Sequence, residues 1–187
     1  MANDFLLKKW RALFRGCDIN GDNHITMEDA ELFTCKRNVD RFSSYHKFDA
    51  DRTAALKEEY RALWEKIFLK GLDHVTEELF MEQITEQYNA DPVKFKAETH
   101  KFTSAITSIF DVNRDGELSE EELAVCMKSW GLDKFDEKFV KAFPQRKPGF
   151  IHNDDYTANW DAYFCNADEN DFSKEKPSMY GFGLIDL

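Results

Sequence analysis

The chain has 187 residues, 36 acidic and 25 basic, for a formal net charge of −11. That balance argues against a nucleic-acid binder, which needs basic patches to replace phosphate counterions, and against attraction to an anionic bilayer. Hydrophobic residues make up 42% and Phe alone contributes 17, too much apolar surface for a disordered acidic tail; the length suits one compact domain or two small fused halves.

The first predicted element is a helix over residues 5–16, where Phe5, Leu6, Trp10, Leu13 and Phe14 recur on one stripe. A second stripe over 52–68 carries Leu56, Tyr60, Leu63, Trp64, Ile67 and Phe68. Asp91-Pro92 reads as an N-cap followed by proline at the first helical position, opening a helix with Phe95, Phe102, Ile106, Ile109 and Phe110. Trp130-Gly131 reads as a helix end. Leu132, Phe135, Phe139, Val140 and Phe143 mark a further helix, and Tyr156, Trp160, Tyr163 and Phe164 the last. Strand signals are about three residues long: His24–Thr26, His74–Thr76, Glu117–Ser119 and Phe150–His152. Each follows a helix and a break and precedes another helix. A helix–loop–short strand–helix unit therefore recurs four times, and repetition organises the chain.

The strongest chemical signal is the run from Asp111 to Glu122, which satisfies D-x-[DN]-x-[DN]-G-x5-E at every fixed position. A hard cation such as Ca2+ takes six to eight oxygens at roughly 2.3–2.6 Å. Asp111, Asn113 and Asp115 turn inward as the loop curls, and Gly116 permits the bend. Glu117 offers its backbone carbonyl, Ser119 coordinates directly or through water, and Glu122 closes the site with two carboxylate oxygens. A second copy runs from Asp18 to Asp29. Asp18, Asn20 and Asp22 take the first, third and fifth places. His24 takes the backbone-carbonyl place, with its ring toward solvent. Asn23 stands where glycine is usual, an acceptable exchange because Asn tolerates the left-handed conformation. Asp29 closes the loop with a side chain one methylene shorter than Glu, which favours lower coordination and hence Mg2+.

The other two units have lost their ligands. Aligned on the strand residue, the second places Phe68, Lys70, Leu72 and Leu79 at the ligand positions, and the fourth places Pro144, Arg146, Pro148 and Asp155 there, with Gly149 in the bend. Arg146 and Lys147 should repel a cation. Such loops persist if each braces an active neighbour, with His24–Thr26 pairing with His74–Thr76 and Glu117–Ser119 with Phe150–His152.

These residues resemble the EF-hand superfamily. More narrowly, the chain resembles the invertebrate sarcoplasmic calcium-binding proteins and their calexcitin-like relatives. The narrower likeness rests on silent second and fourth hands, on Asp29 closing the first loop, and on the run Trp160-Asp161-Ala162-Tyr163-Phe164 before an apolar C-terminal stretch. The implied fold is all-α: four EF-hands in two pairs, I with II and III with IV, fused into one compact domain, each pair joined by a short antiparallel β-link. The expected divisions are 1–90 for the first pair, 91–164 for the second, and 165–187 for a tail that docks on the core.

No apolar run approaches the ~18 residues of a membrane span. Met1-Ala2-Asn3-Asp4-Phe5 lacks a signal-peptide core, Ala2 excludes the myristoylation pattern, and no Cys stands four from the end. Cys17, Cys35, Cys126 and Cys165 show neither metal nor redox spacing, as expected of reduced, mostly core-facing thiols in a cytoplasmic monomer. No phosphate loop, nucleophile elbow or zinc signature indicates an enzyme, and His100 reads as a surface or packing residue. Three functions fit: a Ca2+/Mg2+ buffer with two sites, a calexcitin-type sensor signalling to a protein partner, and a calcium-triggered binder of a small apolar ligand. Five Met against 17 Phe, 6 Tyr and 4 Trp favour the buffer, because sensors open Met-rich grooves while rigid aromatics suit one fixed core.

Overall fold

The first stripe folds as its spacing predicts. In the computed structural model, which describes residues 1–129, 141, 143–144 and 146–169, helix α1 spans Asp4–Cys17. Asn3 caps it by accepting from the Leu6 amide at 3.0 Å, and Phe5, Leu6, Trp10 and Phe14 turn into the core. Strand β1 (His24–Ile25) leads into α2 (Met27–Asp29), which widens into π-helical turns over Ala30–Val39 and resumes as α3 (Asp40–His46). Lys47, at φ 55°, ends it in the left-handed conformation.

Helix α4 (Ala50–Trp64) opens on Asp49, whose carboxylate accepts from the Arg52 amide at 2.8 Å. The single helix expected over 52–68 does not hold to its end: from Glu65 to Leu69 the chain winds as π-helix. The wider turn places both Phe68 and Leu69 in the core, with Phe68 4.7 Å from the Trp64 ring. Strand β2 (Val75–Thr76) and α5 (Glu77–Ala90) complete the first half.

Asp91 then acts as predicted, accepting from the Val93 and Lys94 amides at 3.0 and 2.9 Å, and α6 runs Pro92–Phe110. Strand β3 (Glu117–Ser119), α7 (Glu120–Ser129), β4 (Phe150–His152) and α8 (Asn153–Cys165) follow. The helix expected through Leu132 and the docking of the tail fall on residues 130–140 and 170–187, outside the described residues; Phe143 is buried against Tyr156.

The two β-links pair as anticipated. His24 faces Thr76 and Ile25 faces Val75; Glu117 faces His152, Leu118 faces Ile151 and Ser119 faces Phe150, both links antiparallel. The central residues Ile25, Val75, Leu118 and Ile151 are all but fully buried, so a one-residue slip would carry them out of the core.

One continuous core joins the halves, running from Phe5, Leu6, Trp10 and Phe42 to Phe110, Leu118, Trp160 and Phe164. Helices α1 and α8 interlock: the Trp10 indole donates to the Phe164 carbonyl at 3.1 Å, and the Tyr163 hydroxyl donates to the Lys9 carbonyl at 2.8 Å. The Lys9 ammonium donates to the Asn166 carbonyl at 2.6 Å and lies 4.7 Å over the Phe5 ring. Lys9 is fully buried, and burial pushes its pKa down to about 7. Among the described residues no helix is long and apolar enough to cross a membrane.

Lys9 gives a signed pH dependence. Its folded pKa lies below the unfolded value, so the unfolded chain holds more protons from about pH 7 upward and stability rises with pH. Cys17 and Cys126 act oppositely: burial raises both thiols, so unfolding releases their protons and stability falls above about pH 9. Urea unfolding without added metal should show stability climbing by about 1–2 kcal/mol from pH 7 to 8.5, then declining. Lys9→Met should flatten the climb.

Candidate metal centres

The loops Asp18–Asp29 and Asp111–Glu122 fold onto the same backbone trace. Their fourth and sixth residues take positive φ: Gly21 at 74° and Asn23 at 66° in one, Arg114 at 59° and Gly116 at 85° in the other. Asn23 thus adopts the conformation that its place demands. In each loop the first carboxylate turns back on the loop's own amides. Asp18 accepts from Asp22 at 3.1 Å and from Asn23 at 2.9 Å; Asp111 accepts from Asp115 at 3.1 Å and from Gly116 at 2.9 Å. At the third place, Asn20 Oδ1 accepts from the Asp22 amide at 3.0 Å and Asn113 Oδ1 from the Asp115 amide at 2.9 Å. The fifth carboxylates, Asp22 and Asp115, take the His24 and Glu117 amides, each at 2.9 Å.

The closing carboxylates cross the loop. Glu122 Oε1 accepts from the Val112 amide at 3.0 Å, while Oε2 accepts from the Ser119 amide at 2.9 Å and the Ser119 hydroxyl at 2.7 Å. Asp29 Oδ1 accepts from the Ile19 and Asn20 amides at 2.9 and 3.3 Å, and Oδ2 from the Thr26 amide and hydroxyl at 2.8 and 3.0 Å. Despite its shorter side chain, Asp29 spans both loop ends. A carboxylate offers about four lone-pair sites. All four are taken on Asp29, whereas Glu122 keeps one.

Among the described residues, no three His, Cys, Asp or Glu side chains stand gathered as a ready-made metal cluster. The loop oxygens face amides instead. The donor set nonetheless fits a hard divalent cation. It is rich in oxygen, and the run Asp111–Glu122 carries six carboxylates against the single cation Arg114. Asp111 and Glu122 are only 5% exposed and Asp29 is fully buried, so their charges are poorly hydrated and gain from a partner ion. His46 lies near enough to Glu122 to feel its charge, but burial prevails and holds the imidazole below its usual range.

The His24 ring Nδ1 lies 3.0 Å from the Asp22 carbonyl, and the ring meets His74 edge-on at 5.1 Å. Glu117 pairs through its side chain with Lys147 at 3.3 Å. The silent loops differ in form. In the second, positive φ falls on Lys70 and Gly71, at the third and fourth places, and the Gly71 amide donates to Glu65 at 2.8 Å. In the fourth, Arg146 faces Asp155 at 3.5 Å, setting a guanidinium between the third and twelfth places.

Several contacts escaped the sequence reading. Arg52 of the first half donates to the Val112 carbonyl at 3.0 Å, and Asn153 of α8 donates to Asp111 at 2.7 Å. His100 pairs with buried Asp161 at 2.6 Å, and Thr103 donates to the same carboxylate at 2.8 Å. All join residues at least 42 apart, which loop spacing does not connect.

A family model described as "EF hand" matches residues 108–127. The chain is 26% identical over 150 residues to a sarcoplasmic calcium-binding protein of Mizuhopecten yessoensis, covering 78% of this chain and 79% of that protein. Its fold is similar to that of the coelenterazine-binding protein of Renilla muelleri, solved in a calcium-loaded apo form (TM-score 0.68, 20% identity, 88% of this chain and 90% of that one). It is also similar to that of the photoprotein clytin (TM-score 0.63, 20% identity, 94% and 96%).

Backbone strain separates the two bends. A Cβ on Gly116 meets nothing within 4 Å, so Gly116→Ala should cost only the left-handed penalty, about 1–2 kcal/mol. Asn23→Gly should change stability by a few tenths of a kcal/mol at most. Urea unfolding without added metal measures both.

Proposed function

Starting from an EF-hand protein similar to sarcoplasmic calcium-binding proteins, we propose that this chain binds Ca2+ at two loops, Asp18–Asp29 and Asp111–Glu122, and serves as a cytoplasmic Ca2+/Mg2+ buffer. The observation carrying the proposal is the trace the two loops share, with the same turns at the fourth and sixth places and the same carboxylate-to-amide bonds. Asp111, Asn113, Asp115, the Glu117 carbonyl, Ser119 and Glu122 would hold one ion. Asp18, Asn20, Asp22, the His24 carbonyl and Asp29 would hold the other. The ion would supply positive charge to the carboxylates of Asp29, Asp111 and Glu122, which the fold has already buried.

The two loops are not equivalent. To bind an ion, Asp29 gives up amide or hydroxyl bonds on both oxygens, while Glu122 has a lone pair to spare. The first site is therefore the weaker calcium site and the more tolerant of Mg2+, whose smaller shell asks less of a short side chain. The second and fourth loops take no ion: one lacks carboxylates at its ligand places, and the other sets Arg146 against Asp155. Residues 1–90 and 91–164 form the two pairs. A core shared between them, built on Trp10, Phe42, Phe110 and Trp160, favours a buffer over a sensor, because opening either pair would expose aromatics of both.

Titration calorimetry should find two calcium sites. Glu122→Gln should weaken one roughly a hundredfold, about 2.8 kcal/mol, and leave the other measurable. Four sites, or two that both survive Glu122→Gln, would refute the assignment. Asp29→Glu should raise the calcium-over-magnesium preference of the first site. Calcium should change neither the hydrodynamic radius nor the binding of an apolar dye; a large change in either would favour the sensor.

A further inference from the structure

We infer that Asn153, from the silent fourth hand, is a positioning residue for the metal loop Asp111–Glu122. The inference rests on the assignment of that loop as a calcium site. Asn153 is the first residue of α8, yet it reaches the other hand of its pair at two points. Its side-chain amide donates to Asp111 Oδ2 at 2.7 Å, and its backbone amide donates to the Gly116 carbonyl at 3.0 Å. These are the first and sixth places of the loop: the carboxylate that opens it and the residue at its sharpest bend.

The contact orients Asp111. Oδ2 already takes the Gly116 amide at 2.9 Å, so with Asn153 it carries two N–H donors, while Oδ1 carries one, from Asp115 at 3.1 Å. Rotating the carboxylate would break both bonds on Oδ2. Oδ1 is thereby kept as the oxygen with lone-pair capacity free. Asn153 accepts a cost for this arrangement, because its own Oδ1 is buried without a hydrogen-bond partner. An amide serving only α8 would face solvent and satisfy both ends. Buried orphan acceptors are uncommon and call for a reason, and the bond to Asp111 supplies one.

The first pair lacks this buttress. Asp18 takes its hydrogen bonds from Gly21, Asp22 and Asn23 of its own loop. Glu77, which stands in the second hand where Asn153 stands in the fourth, pairs instead with Arg11 at 3.5 Å. The second and fourth hands therefore act differently: both share a β-link with their neighbour, but the fourth also reaches a ligand residue there, whereas the second reaches the Thr26 carbonyl through the Trp64 indole.

Groups that orient metal ligands are worth about 10–100-fold in affinity when removed. The test is calcium and terbium titration of the full chain carrying Asp18→Ala, which leaves the second site alone, with and without Asn153→Ala. Asn153→Ala should weaken that site about tenfold, and in the otherwise native chain the first site should change less than twofold. The metal-free melting temperature should stay within a few degrees, since alanine suits the first turn of a helix. Asn153→Ser, too short to reach Asp111, should behave like alanine. An unchanged site affinity in both variants, or an equal loss at both sites, overturns the inference. Absence of binding in the Asp18→Ala parent overturns the calcium assignment instead, so the two failures are distinguishable.

Discussion

Each candidate metal loop depends on one carboxylate that reaches across it. Glu122 ties the Val112 amide at the loop's start to Ser119 at its end, and Asp29 ties Ile19 to Thr26 in the same way. The same residue serves as the third position of a helix capping box, Asp29 with Thr26 and Glu122 with Ser119. Loop closure and helix start are thus one event, and the exit helix cannot move without opening the loop. The arrangement also makes buried carboxylates tolerable. Uncompensated, each would cost several kcal/mol, and the amide donors supply the compensation. Under the proposed calcium assignment, affinity depends on what lone-pair capacity the clasp leaves over, which is where Asp29 and Glu122 part company.

The clasps would be local features without the frame that sets their separation. The β-links put Ile25 on Val75 and Leu118 on Ile151, so each metal loop lies back to back with a loop that lacks its ligands. Above the links, α1 and α8 join the halves through backbone carbonyls at the end of α8, which accept from Trp10 and Lys9. Helix-end carbonyls are otherwise without intrahelical partners, and the partly negative end of the helix suits an ammonium. Lys9 is therefore held by geometry against a solvation cost that lowers its pKa. Cation and helix terminus each satisfy what the other leaves open.

Much of this could be read from the residues. The apolar stripe of α1, the cap at Asp91, the four short strands and their pairing follow from local periodicity and repetition, although two of the expected triplets shorten to His24–Ile25 and Val75–Thr76. The candidate loops Asp18–Asp29 and Asp111–Glu122 are legible for the same reason, since each candidate ligand lies within the twelve residues of its own loop. The π-helical end of α4 is not legible: its residues have ordinary helical spacing, and burying Phe68 and Leu69 together is a demand of the surrounding core. Asn153 and Arg52 are hidden for a different reason. Each is an unremarkable polar residue by type, and its role comes from a partner brought near only by the fold. His100 reads as a surface residue and its side chain is indeed half exposed, but the buried Asp161 that it faces comes from another helix.

Two loops that have lost their ligands still need closing, and they manage it without an ion. In the fourth, Arg146 and Asp155 face each other at 3.5 Å across the third and twelfth places, with Arg146 largely exposed. With the guanidinium largely in water and 3.5 Å from the carboxylate, the pair contributes little to stability, about 0–1 kcal/mol. Its consequence lies elsewhere: the loop supplies its own cation, Arg146, opposite the carboxylate at its twelfth place. Among the described residues, the second loop has no such ion pair across it: the π-helical turn ends in left-handed Lys70 and Gly71, the Gly71 amide donates to Glu65 at 2.8 Å, and the Trp64 indole donates to the Thr26 carbonyl at 3.0 Å. Under the proposed assignment, each metal loop leans on a neighbour whose own contacts include no ion. In the proposed buffer the bracing partner would stay folded as calcium comes and goes, and the free energy of binding would be spent within a single loop rather than on opening the pair.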